Sequence, residues 1–150
     1  MPPLTACWAG CATRTFVDSK SIERAVLLLQ YATSGEDEAP EPMLPLNKVL
    51  CGLPLSAPVP RGITLSVRER EPVDGMLAAM IEHWKALGHT SVAGLRETFL
   101  MREGRLKHDD HGWQLKVHSR AFDVVLDRLP WGYMTIRFLW MPQVLHVNWR

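Results

Sequence analysis

Apolar positions recur at every third or fourth residue through the first two thirds of the chain, then at every second residue near its end. In "SIERAVLLLQYAT", Ile22, Ala25, Val26, Leu29 and Ala32 share one helical face, the pattern of an amphipathic helix. Asp18 or Ser19 can cap its start, and Gly35 suits a left-handed stop. Leu27 and Leu28 widen the apolar face, so burial on more than one side or contact with a partner is expected. Ile22, Val26 and Leu29 are the candidate partner-facing residues. A second stripe, Val73, Met76, Leu77, Met80, Trp84 and Leu87, runs to Gly88. Ser66-x-x-Glu69 fits a capping box, but an interior proline costs about 3 kcal/mol. The simpler expectation starts this helix with Pro72 in its first turn. A third helix, "SVAGLRETFLMRE", is capped near Thr90 or Ser91, turns Val92, Leu95 and Phe99 inward, and closes at Gly104.

The period then becomes two. "RLKHDDHGWQLKVHS" reads as a β-hairpin in which Trp113, Leu115 and Val117 alternate with Gln114, Lys116 and His118. Asp109, Asp110 and Gly112 form its turn. Ser119 can cap a fourth helix, "RAFDVVLDRL", with Phe122, Val125, Leu126 and Leu129 on one side and Pro130 as its end. Met134, Ile136, Phe138 and Trp140 alternate as a strand, and Leu145, Val147 and Trp149 as another. The fold class is therefore α+β: several helices followed by a small, mainly antiparallel sheet made of a hairpin, a crossover helix and two C-terminal strands. Its expected structural core includes Trp84, Phe99, Trp113, Phe122, Phe138, Trp140 and Trp149. The "PWG" around Trp131 is compatible either with burial or with a turn that displays the ring.

Between the first two helices lies "EDEAPEP", acidic and proline-bearing, which reads as a solvated, extended linker. A short helical piece, "LNKVLCGL", and a second proline-rich stretch, "PLSAPVPRG", follow it. The chain thus divides into an N-terminal segment with the first helix (1–35), an acidic and proline-rich linker with a short helical turn (36–65), and a compact α+β module (66–150).

Composition narrows the function. The 150 residues are one domain's worth of chain, and 47% of them are hydrophobic, enough for a real core. The net charge of +1 and the lack of a basic block argue against nucleic-acid binding. A spanning helix needs about 20 apolar residues, and Arg137 with the flanking Pro130 and Pro142 interrupts the richest run. The N-terminus lacks the basic and apolar regions of a secretory signal, which points to a cytoplasmic product. Cys7, Cys11 and Cys51 are too few for a disulfide framework and read as free thiols; Cys51 stands among apolar neighbours as a small hydrophobe.

Catalytic geometry is hard to find. His108-Asp109-Asp110-His111 is the one cluster with metal-ligand chemistry, and a metal-binding domain or metal-dependent enzyme built on it is the alternative reading. Adjacent residues of a hairpin splay to opposite faces, and consecutive aspartates also suit a turn without metal. None of His83, His89, His118 and His146 has a serine, cysteine or carboxylate at a spacing that implies a nucleophile and its base. There is no glycine-rich phosphate loop. Arg96, Glu97, Arg102, Glu103 and Arg105 read as a solvated face of mixed sign or an ion-pair network of small value. No catalytic residue, metal ligand or cofactor is therefore assigned, and the chain is expected not to be an enzyme.

Several stretches in order carry a resemblance: "ERAVLLLQYATSGE", "LPLNKVLCGLPL", "MIEHWKALGHTSVAGLRETFLMREGRL", "GWQLKV", "AFDVVLDRLPWGY" and "WMPQVLHVNW". Together they resemble the C-terminal part of contractile injection system tape measure proteins, from Ser21 to Trp149. Those proteins belong to bacterial, phage-tail-like particles in which a sheath contracts and drives an inner tube through a target envelope. The resemblance implies a structural, non-catalytic protein that becomes incorporated into an assembled particle. A ruler must span the length it sets, yet 150 residues, all helical, would reach only roughly 225 Å. The expectation is an end-anchoring or assembly module that contacts tube, baseplate or terminator proteins, or a second copy of itself.

Overall fold

Asp18 opens the first helix, α1 (Ser19–Ser34), by accepting the Ser21 N–H at 2.8 Å, and Gly35 closes it at φ +81°. The computed structural model describes residues 18–149. Arg96 reaches across from a later element to complete the end of α1. Its guanidinium donates to the Ala32 carbonyl at 3.2 Å and the Tyr31 carbonyl at 3.1 Å, carbonyls of a helix's last turn. Short helix α2 (Pro45–Cys51) and long helix α3 (Val67–His83) pack on α1.

The apolar face of α1 is covered by the chain's own elements. Val26 has no exposed surface, and Ala25 and Leu27 are buried with it among Leu44, Cys51, Val59 and Leu65. Ile22 and Leu29 pack partly buried against the same group. Val26 is thus corrected from partner contact to core. The wide face that suggested a partner serves two clusters instead: Leu28 and Tyr31 touch the first, and also a second built on Ala32, Val73, Leu77, Trp84, Leu95, Phe99 and Leu126.

The acidic stretch 36–42 is no solvated tether. Asp37 accepts the Leu65 N–H at 3.0 Å and pairs with Arg70 at 2.6 Å. Glu41 accepts the Val59 N–H and the Lys48 ammonium, each at 2.5 Å. These bonds fold 36–65 back onto α1 and bury Leu44, Val59 and Leu65. The composition suggested a linker because the acids answer partners far away in sequence.

Pro72 lies inside α3, not in its first turn. The helix starts five residues before it, after Ser66, whose N–H donates to the Glu69 carboxylate at 2.7 Å. Pro72 is on the exposed side, so its missing N–H falls where water can serve the unpaired carbonyl. Glu69 also takes two hydrogen bonds from Arg24, at 2.7 and 2.5 Å. Chiefly for that reason its carboxyl sits at about 2, down from 4.5. A depressed carboxyl stabilises the fold above its unfolded value, and that stability is lost as pH falls through the folded value. Glu69→Gln should therefore be less stable than the wild type at neutral pH. The gap in melting temperature should close between about pH 4.5 and 2; a gap that stays constant over this range would sink the assignment.

A single α-helical turn, α4 (Val92–Leu95), is capped by Ser91, which accepts the Gly94 N–H. It passes into a π-helical turn, Arg96–Leu100, where a regular third helix was expected. The fourth helix is a 3₁₀ helix, Ala121–Arg128, begun at Arg120 with Asp123 accepting the Arg120 N–H at 2.7 Å; Ser119 does not cap it.

The four-stranded sheet runs β1 (Gly104–Asp109), β2 (Gly112–Val117), β4 (Leu145–Asn148), β3 (Thr135–Ile136) in space. β1–β2 and β3–β4 are antiparallel and β2–β4 is parallel, so the sheet is mixed within an α+β fold. A parallel pair needs a long crossover, which the 3₁₀ helix and residues 129–144 provide. The expected strand from Met134 to Trp140 shrinks to β3. Phe138 then stacks on Trp140 at 4.9 Å, while Leu139 stands wholly in solvent. Phe138 and Trp140 pack with Trp113, Leu115 and Leu106 on a third cluster centred on Val49, Met141 and Leu145. Trp84 and Phe99 are buried, 4.8 Å apart, and Trp131 and Trp149 pack on their cluster. Phe122 is the exception among the predicted core residues. It lies 38% exposed, edge-on to Phe99.

Candidate docking cleft

The segments "LCGLPL" and "WMPQ", distant in sequence, meet at one place. α2 ends at Gly52, in the left-handed conformation at φ +74°. A Cβ there would stand 2.6 Å from the Trp140 carbonyl oxygen, so only glycine lets the two backbones approach. The Trp140 indole donates to the Leu50 carbonyl at 2.8 Å. Lys48 is almost fully buried and anchors the other side, donating to Glu41 at 2.5 Å and to the Leu55 carbonyl at 3.4 Å. The Leu53 N–H returns to the Lys48 carbonyl at 2.9 Å.

These contacts shape a cleft of about 230 Å³ between Val49, Gly52–Leu55, Trp113, Pro142 and Gln143. Its walls are mostly apolar, and Leu55 stands 44% exposed at the rim. Cys51, next to Gly52 in sequence, is buried in the first cluster, and burial pushes its thiol up to about 12. Such a thiol is protonated and unreactive at neutral pH. The cleft can therefore receive an apolar side chain, and its lining side chains include no nucleophile or base.

The His108–His111 cluster of the alternative reading is not gathered into a site. His108 is on the core face of β1, its ring 4.7 Å from that of Trp113 and its Nε2 hydrogen-bonded to Gln143. Asp109 accepts the His111 N–H at 2.8 Å as a turn residue. Among the described residues no group of three or more His, Cys, Asp or Glu is placed to hold a metal ion. Cys7 and Cys11 lie outside the described residues. His108 instead buttresses the cleft wall.

Arg96 and Arg102, read from sequence as part of a solvated face or a weak ion-pair network, turn inward and pair with Asp74 and Asp123. The Arg102 side chain is 3% exposed and grips Asp123 at 2.7 and 2.9 Å, the His118 carbonyl at 2.5 Å and the Thr98 carbonyl at 3.2 Å. Its guanidinium also lies over the rings of Phe122 and Trp149. A signal was present: Leu95, Phe99 and Arg102 are spaced four and then three apart, on the inward face. The cleft itself had no local signal, since its two walls are about ninety residues apart.

The arrangement defines a small α+β protein with an apolar cleft between α2 and the C-terminal strands. A model of the contractile injection system tape measure protein family matches residues 8–149, and the chain belongs to that family. Its role is structural, in association with contractile particle components. The match extends upstream of Ser21, into residues that carried no visible likeness. No curated protein and no solved structure matched the chain. No helix among the described residues is long and apolar enough to cross a membrane.

Proposed function

We propose that this chain is a non-catalytic assembly or anchoring module of a phage-tail-like injection particle, and that the cleft beside Leu55 grips a tube, baseplate or terminator protein. The observation that carries this reading is the convergence of two family-like segments on one apolar cleft, fixed by Gly52, Trp140 and Lys48. A spanning role has little support from the described residues. The longest helix, α3, has 17 residues and so reaches roughly 25 Å. The particle-bound state would be reached from the bacterial cytoplasm, where such parts assemble.

The test is co-expression of the tagged chain with the tube, baseplate and terminator proteins encoded beside it. One component should co-purify with the wild type. Leu55→Glu, a change at an exposed rim, should reduce its recovery about tenfold while leaving the melting temperature unchanged. Recovery of no component, or equal recovery with Leu55→Glu, would overturn the assignment of the cleft.

A further inference from the structure

The solvent face of the sheet holds positive charge that the fold leaves unneutralised. Arg105 and Lys107 alternate along β1 with Leu106 and His108, and so stand on the face opposite the third cluster. Lys116 lies directly across from Arg105. Gln114, His146, Asn148 and Thr135 continue this face through the strand register. All three cations are exposed. Arg24, Lys48, Arg70, Arg96 and Arg102 each have a carboxylate partner, whereas Arg105, Lys107 and Lys116 form no ion pair among the described residues. On this side of β1, Asp109 accepts the His111 N–H, and Glu103, two residues before Arg105, forms no ion pair among the described residues. Residues 1–17 contain no Asp or Glu. Like charges directly opposite destabilise an antiparallel pair, so folding alone would favour a carboxylate at position 105 or 116.

β1 is also an edge strand. Its ladder with β2 continues to the His118 N–H, which donates to the Glu103 carbonyl at 2.8 Å. The alternation set by that bond points the N–H and C=O groups of Leu106 and His108 away from β2. An open hollow of about 500 Å³ lies at the open end of the β1–β2 hairpin, beside Arg105 and Lys116, lined by Glu103–Arg105 and Lys116–Ser119. A charged edge repels strands of its own kind, while an acidic strand meets it with opposite charge.

We propose that the β1 edge takes an extended acidic segment of another polypeptide as a fifth strand, with carboxylates at alternate positions facing Arg105 and Lys107. Two observations favour polypeptide over nucleic acid. The face has no Phe, Tyr or Trp on which a base could stack, and a net charge of +1 gives little field for a phosphate backbone. This surface is separate from the Leu55 cleft, and the two proposals stand or fall independently.

The experiment titrates the full chain with an alternating glutamate–threonine peptide, a glutamate–proline peptide that cannot form a strand, and a single-stranded oligothymidylate. The glutamate–threonine peptide should bind in a salt-dependent manner and slow hydrogen exchange at the Leu106 and His108 amides. Arg105→Glu should weaken that binding roughly tenfold and yet raise the melting temperature, because the new carboxylate faces Lys116. Leu55→Glu should leave it unchanged. The idea is overturned by no binding, equal binding of the proline peptide, tighter binding of the oligothymidylate, or binding indifferent to Arg105→Glu.

Discussion

Asp123→Ala is expected to destabilise the protein by about 3–5 kcal/mol, the range for removing one partner of a buried ion pair. Both side chains are nearly inaccessible, at 3% and 5% exposed, so the Arg102 guanidinium would be left buried without its counter-charge. Asp123 also accepts the Arg120 N–H at the start of the 3₁₀ helix. Arg102 ties that helix to the π-helical turn and to the end of β2, through Thr98 and His118. Loss of Asp123 therefore loosens three elements at once. Urea unfolding should show a lower midpoint at unchanged slope. The Arg102 hydrogen bonds, its largest influence, hold the Asp123 carboxyl below the usual range. The stability it supplies is thus present at neutral pH and lost in acid as the folded carboxyl protonates. A penalty under about 1 kcal/mol would mean that water reaches the pair and screens it.

Gly52→Ala is expected to cost about 2–4 kcal/mol. Part is the left-handed backbone, roughly 1–2 kcal/mol for a residue with a Cβ. The rest comes from the Trp140 carbonyl, a backbone atom only 2.6 Å from the added carbon. Gly62 separates the two terms: it has φ +78° and nothing within 4 Å of an added Cβ. Gly62→Ala should therefore show the conformational cost alone. The excess at Gly52 should coincide with a shift in the Trp140 indole N–H signal as its bond to Leu50 is disturbed. In the particle pull-down, the same variant should lose the component that the cleft holds. Equal penalties at the two glycines would show that the close approach to Trp140 is unimportant.

Local chemistry was legible wherever a residue's partners lie nearby in sequence. The Asp18 cap, the Gly35 stop, the Ser91 cap and the hairpin turn at Asp109 follow from backbone rules acting over three or four residues. The stripe through Val73, Leu77 and Trp84 became core because helical spacing leaves it one way to be buried. The misreadings share a cause. Val26, Phe122 and the acidic stretch 36–42 each have environments set by elements packed from far away.

The sequence by itself determined the α+β class, the first helix with its caps, the hairpin, and membership in a family whose motifs run in order along the chain. Only the tertiary structure decided that the acidic stretch is bound down by Leu65, Arg70, Lys48 and Val59. It alone decided that Arg102 is buried, that β4 lies parallel to β2, and that Gly52 meets Trp140. The physical reason is range. Caps, turns and periodicity are short-range backbone preferences that a string of residues displays directly. Ion-pair partners, strand order and clefts depend on which distant surfaces come together, and that choice is made by the burial of the whole core.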